Sequence, residues 1–300
     1  MLDLTGGQLP WPDDLRALWT DCLARACHGA MDRTPPWRGV AGLSEVLGEL
    51  LEVPDHVYVT SGVRALIPAF TLLGRKVIVE RPTYDGVPAA FRRCGADVEL
   101  GDLTDALDAD PARHLVWLTS PGRNPDGWTL TEELAGEFGA WVARGGVVVQ
   151  NETYRWFAGD GPRVPGAHLI GSFNKLAGGW SRTGWLAGSA DGPLGAYLRT
   201  GTPPTPWQAA WAAFADRGLP LLLERARKTG EITKRVAALT GTSARGASVL
   251  VPVSAEWLRE RGVAAGPGPA FHAPEHTARL SFLGCDDCDH DAVLRAALEN

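Results

Sequence analysis

The feature that most constrains this chain is an alternation in its first two thirds. Short apolar runs, "HVYVTSG", "KVIVERP", "HLVWLTSPG" and "GVVVQNETY", are separated by "RALIPAFTLLG", "GVPAAFRRCGA" and "TEELAGEFGAWVARG", whose apolar residues recur at helical spacing. "HLIGSFNK" and "TGWLAGS" add two further strands. Strands this short and uniformly apolar bury both faces, and helices between them supply the crossovers that parallel neighbours need. The pattern predicts an α/β domain with a mostly parallel sheet flanked by helices.

Outside this stretch the texture changes. "RALWTDCLARACHGAM" and "LSEVLGELL" predict two helices near the N-terminus. After about residue 195, "PPTPWQAAWAAFADRG" and "LPLLLERARKTGEITKRVAALTG" predict two more, followed by a small α+β region. The expected organisation is an N-terminal segment, 1–40, packing with the small domain, a large domain, 41–195, and a helical linker with a small C-terminal domain, 196–300. No internal repeat or low-complexity tract interrupts it.

Composition narrows the function. A formal charge of -6 argues against a broad nucleic-acid surface, which would show as clustered Lys and Arg, but leaves room for a local anion site. No apolar run approaches the roughly 18–20 residues that span a bilayer, and "MLDLTGGQLPWPDD" lacks the basic start and apolar core of a signal peptide, so a cytoplasmic location without membrane or nucleic-acid partners is expected. Five cysteines make no disulfide framework in a chain of 300 residues. Cys285, Cys288 and His290 in "CDDCDH" have ligand-like spacing, but no second Cys/His pair closes a tetrahedral site, and no metal is expected.

The 36 glycines fall mostly at strand-to-loop exits, which in parallel sheets form the ligand crevice. "TSGVRAL" places Ser61, Gly62 and Val63 between a strand and a helix, where backbone N–H groups and the positive helix end favour a phosphate. "SPGRNPDGW" brings Asn124, "NETYRWF" brings Asn151 and Tyr154, and "GSFNKLAGGWSRTGW" brings Lys175 with Arg182 seven positions on. Each alone is ordinary turn chemistry.

Taken in order, the anion loop, the aromatic of "RPTYDG", "NPDG", "NETY" and "SFNK...SRTGW" resemble the class I/II aminotransferases, the pyridoxal-phosphate family with an aspartate aminotransferase-like fold. The resemblance extends from "LDLTGGQLP" to "ARLSFLG". It implies that Lys175 holds pyridoxal 5'-phosphate as a Schiff base, an arrangement that needs an amine able to lose its proton, as a lysine beside other cations can. It further implies that Arg182, Ser172 and the Ser61-Gly62-Val63 loop grip the phosphate. By the same resemblance Tyr84 stacks on the ring, Asn124 and Tyr154 bond the ring hydroxyl, and Lys175, Tyr84 and Asn151 form the catalytic set. Arg279 of "ARLSF" is the implied anchor for a substrate α-carboxylate, whose two oxygens suit a planar guanidinium, with Gly7 and Asn124 as further substrate contacts.

Two departures stand out. The family normally places an aspartate three residues before the tyrosine, where it keeps the pyridine nitrogen protonated; here Asn151 stands there, with Glu152 next to it as a candidate replacement. Alternation along a strand opposes that replacement. The chain is also short for the family, the loss falling between the helix ending near Leu239 and "SAEWLRERG". Trp128, Trp156 and Trp180 lie beside motif positions and are candidate walls of the site.

The resemblance implies an aminotransferase acting on an amino acid as its small-molecule substrate, working as a homodimer with its active site at a two-fold interface. A different pyridoxal-phosphate reaction, elimination, cyclisation, decarboxylation or racemisation, is the second reading, and a non-catalytic cofactor binder the third. A retained carboxylate anchor weighs against the last.

Overall fold

The computed structural model describes residues 1–7, 10–53, 57–284 and 294–295; the "CDDCDH" run lies outside the described residues. The chain opens with β1 (Leu2–Leu4), α1 (Asp13–Ala30) and α2 (Ala41–Leu51). The large sheet and its crossovers follow as β2 (Val57–Thr60), α3 (Val63–Thr71), β3 (Lys76–Glu80), α4 (Gly86–Arg93), β4 (Val98–Gly101), α5 (Leu103–Ala106) and β5 (His114–Thr119). They continue as α6 (Glu132–Ala143), β6 (Val147–Asn151), α7 (Arg155–Ala158), β7 (His168–Ser172), α8 (Asn174–Ala177), β8 (Gly184–Ala187) and α9 (Gly192–Leu198). The chain then runs through α10 (Thr205–Leu239), β9 (Ser248–Val251), α11 (Ala255–Glu260), β10 (Val263–Pro267) and β11 (Ala278–Ser281).

Seven strands pair in the order β2-β8-β7-β6-β5-β3-β4, and only β8 runs against its neighbours. The fold is therefore the α/β arrangement that the alternation predicts. Every residue of β2 is buried, as is Leu115–Thr119 of β5, because helices cover both faces. One face packs on α3, α4 and α9 through Ile67, Phe70, Phe91 and Leu194. Part of the other packs on α6 through Phe138 and Trp141. At the far edge β4 pairs, among the described strands, with β3 alone; its mixed, half-buried sequence carries no apolar run that predicts a strand.

A second sheet, β1-β10-β11-β9, joins the two ends of the chain, with β1 parallel to β10. It has its own core around Leu4, Val249, Leu258 and Leu280. Between the sheets lies α10, packed along α1. The sequence predicts two helices here, whereas the structure has one of 35 residues running through Pro220. The apparent break at Gly218 and Pro220 has other causes. A Cβ on Gly218 would strike the Phe214 ring, and Pro220 is exposed, where solvent can satisfy the carbonyl it leaves free.

Trp11, Trp19 and Phe214 pack against one another in the cluster that α1, α2 and α10 share with the sheet. Among the described residues no helix is long and apolar enough to cross a membrane.

Candidate active site

The C-terminal ends of β2, β3, β5, β6 and β7 open onto one cleft. Because β8 is antiparallel, its N-terminal end meets the C-terminal end of β7, with Ser172 opposite Gly184. That turn brings Lys175 on α8 and Arg182, just before β8, to the same cleft. The lining includes Ser61, Gly62, Val63, Tyr84, Asn124, Asn151, Tyr154, Ser172, Lys175 and Arg182, ten of the residues singled out in the sequence.

One end of the cleft is built for an anion. Gly62 takes a φ of 101°, which a side chain rarely adopts, and leads into α3 without a side-chain cap, so the first N–H groups of that helix remain open. A Cβ on Gly62 would lie 3.8 Å from the Cβ of Ser172 across the cleft. The Ser172 Oγ accepts from the Asn174 N–H at 3.4 Å and keeps its own proton to donate. Ser61 differs, since its Oγ already donates to the carbonyl of Gly201 at 2.9 Å. Arg64 also lines this end, a cation that the motif reading passed over because it follows the loop rather than forming it.

The other end is held by contacts between the two sheets. Thr83 N–H donates to the Phe271 carbonyl at 3.0 Å, Arg81 Nε to the His272 carbonyl at 3.1 Å, and His272 Nε2 meets Asp85 Oδ1 at 3.0 Å. These fix the loop bearing Tyr84, whose ring lies against Gly86: a Cβ there would sit 2.3 Å from it. Phe271 in turn supports Arg279, with the guanidinium 4.6 Å from the ring centre.

Arg279 lies just beyond the main lining, where Nη1 donates to Asn124 Oδ1 at 3.3 Å and Nη2 to the Thr5 carbonyl. No carboxylate among the described residues pairs with it, and its Nε is buried without a partner. Burial pushes this guanidinium below its ordinary value, and Tyr154 and Tyr84 pull it part of the way back. Arginine remains charged throughout, and a buried cation is stabilised by an anion placed beside it.

Two expectations are corrected, for Glu152 and for the three tryptophans, and Gly7 is placed beside the Arg279 region. Glu152 does not reach the cleft: its side chain is fully buried, taking Arg163 Nε at 2.8 Å, Arg163 Nη2 at 3.0 Å and Arg155 Nη1 at 3.1 Å. The alternation of side chains past β6 turns it from Asn151, which does line the cleft. Gly7 sits against the Leu283 carbonyl, 2.8 Å from where a Cβ would stand, and Thr5 and Gly6 are the residues beside Arg279. The three tryptophans do not wall the cleft. Trp128 lies under Arg123, Trp156 packs on Trp185, and Trp180 joins the aromatic cluster of Trp11 and Trp19.

Glu80 was missed by sequence reading. It ends β3 fully buried, accepting the Thr119 N–H at 2.7 Å with Arg123 Nη1 at 3.7 Å. Burial raises its pKa to about 7, against the opposing pull of Arg123. A lone acid at a strand end gives no motif by which to find it.

The chemistry of the lining fits pyridoxal phosphate: an amine in Lys175, cations and open N–H groups at one end, an aromatic ring in Tyr84, and amide and phenol groups between them. Residues 13–215 match the family model for aminotransferases of class I and II. The chain belongs to the class I and II aminotransferase family, and it is a pyridoxal-phosphate-dependent aminotransferase.

The fold is similar to that of LysN, the α-aminoadipate aminotransferase of Thermus thermophilus, solved with N-(5'-phosphopyridoxyl)-L-leucine: 23% identity, TM-score 0.77, 99% of this chain and 90% of that one. Thermus thermophilus aspartate aminotransferase with maleate gives 22% identity and a TM-score of 0.78, over 100% and 90% of the two chains. N-succinyldiaminopimelate aminotransferase from Mycobacterium tuberculosis gives 20% and 0.78, over 99% and 93%. By sequence, no curated protein is a significant match.

Proposed function

We propose that this cleft moves an amino group between an α-amino acid and a 2-oxo acid, with Lys175 as the covalent anchor and proton carrier and Arg279 as the carboxylate anchor. The observation that carries this reading is the charge pattern. Arg64, Lys175 and Arg182 line a cleft that no described Asp or Glu lines, and Arg279 stands beside it without a carboxylate partner among the described residues. Such cations await anions supplied by ligands.

The bound cofactor supplies an electron-accepting ring and a carrier for the amino group. Arg182, Ser172 and the start of α3 would hold its phosphate, Asn124 and Tyr154 would bond its ring hydroxyl, and Tyr84 would pack on its ring. Arg279 orients the substrate so that its α-hydrogen faces Lys175 Nζ, which takes that proton and delivers it across the site. Asn124, already touching Arg279, couples substrate and cofactor positions.

On this reading, residues 41–195 form the cofactor domain, 1–40 pack with the small domain, and 196–300 supply the linker and small domain. Tyr84, 48% exposed, and Arg182, also exposed, leave the cleft open on one side, which favours a homodimer in which a second subunit shields it. The cytoplasm is the proposed location.

Incubation with single amino acids and a 2-oxo acid, followed by analysis of both product pools, tests the reading. Paired formation of a new amino acid and a new oxo acid is expected. Asn151 favours one second reading, elimination, cyclisation, decarboxylation or racemisation on an amino acid, and products that form without any 2-oxo acid acceptor would select it.

A further inference from the structure

We infer that Asn151 offers the cleft only N–H groups, locked that way by Thr153, and that this protein binds the cofactor's pyridine nitrogen in its unprotonated state. The inference rests on reading the cleft as the pyridoxal-phosphate site. Two donors of Thr153 converge on one atom of Asn151: the backbone N–H at 3.2 Å and the hydroxyl at 2.6 Å, both on Oδ1. A backbone N–H can only donate, so the atom facing it is the amide oxygen and not the nitrogen. Both residues are buried, and the reverse orientation would set N–H against N–H away from water.

The lock leaves Nδ2 facing the cleft, with two hydrogens to give and no partner among the described residues. An amide nitrogen has no lone pair to accept with. It therefore suits a ring nitrogen that keeps its lone pair and opposes one that carries a proton.

The missing charge acts in the same direction: no carboxylate among the described residues lines the cleft to favour a proton on the ring. Glu152 is engaged by Arg155 and Arg163, and Glu80 lies behind Thr119 beside Arg123. Thr153 acts as a positioning residue, and an unprotonated ring withdraws electrons less strongly.

The test reconstitutes the full chain with pyridoxal phosphate carrying nitrogen-15 in the ring and reads its resonance across the neutral pH range. The wild type is expected in the pyridine range and Asn151→Asp in the pyridinium range. Thr153→Ser should keep the wild-type signal, whereas Thr153→Val should broaden or shift it. A pyridinium resonance in the wild type would overturn the inference, as would an Asn151→Asp spectrum identical to wild type. A chain that takes up no cofactor would overturn the reading of the cleft along with it, whereas cofactor uptake with a pyridinium signal overturns the inference alone.

Discussion

The cleft and the layer directly behind it use arginine in opposite arrangements. In the cleft, Arg64, Lys175 and Arg182 have no acidic neighbour in the described lining. Behind it, Glu152 is clasped by Arg155 and Arg163, and Glu80 sits by Arg123, which is itself forked onto Asp126 at 2.9 and 2.6 Å. The difference separates two uses of one residue type. Behind the cleft, arginines neutralise buried acids and hold strand exits in place; inside it, cations are kept free for ligands.

The largest effect that can break this comparison is expected at Lys175. If it is the proton carrier, Lys175→Ala should lower amino transfer about a thousandfold or more, measured with saturating amino donor. A substitution behind the cleft should act on stability instead. Glu152→Gln leaves Arg163 short of its acid and Arg155 with Asp160 alone, and a loss of about 3 kcal/mol in denaturant unfolding is expected, as for other broken buried ion pairs. Unchanged stability combined with lost cofactor absorbance would show that Glu152 serves the cleft after all.

Glu80 sharpens the comparison through pH. Its folded-state pKa of about 7 lies above the ordinary 4.5, so the unfolded chain releases the proton first. The contribution of Glu80 is therefore complete below about pH 4.5, falls by roughly 3 kcal/mol as the pH rises through about 7, and is flat beyond. Glu80→Gln, which still offers Thr119 an acceptor, should remove that decline from unfolding curves taken on either side of the interval. A wild type whose stability is level over this range would contradict the assignment.

The smallest expected effect is at Arg279. Arg279→Gln should raise the KM for α-amino acids by roughly 10- to 100-fold, the worth of a charge-assisted bidentate contact, and leave cofactor attachment intact. An equal loss for amines lacking a carboxylate would place the effect elsewhere.

The parallel sheet and most of the cleft were legible because they depend on local pattern. "HVYVTSG" and "GVVVQNETY" name their own strands and end at the cleft, and β7 and β8 bring Lys175 and Arg182 together by direct pairing. What was not legible depends on distant partners. The edge strand β4 is defined by pairing with β3 rather than by apolar content, and the continuity of α10 is decided by α1 and by the Phe214 ring over Gly218. Spacing placed Glu152 next to the cleft, but Arg163, eleven residues further on, draws it away. The lock of Thr153 on Asn151 is local, yet it concerns which amide atom points where, and residue types alone do not encode that.

Covalent attachment tests the central claim most directly. The purified chain, reconstituted with pyridoxal phosphate and treated with borohydride, should carry one reduced cofactor per chain, and digestion should place it on the peptide holding Lys175 and Arg182. Lys175→Ala should retain none after denaturation. Label recovered on Lys76 or Lys228, or fixation that survives in Lys175→Ala, would contradict the account.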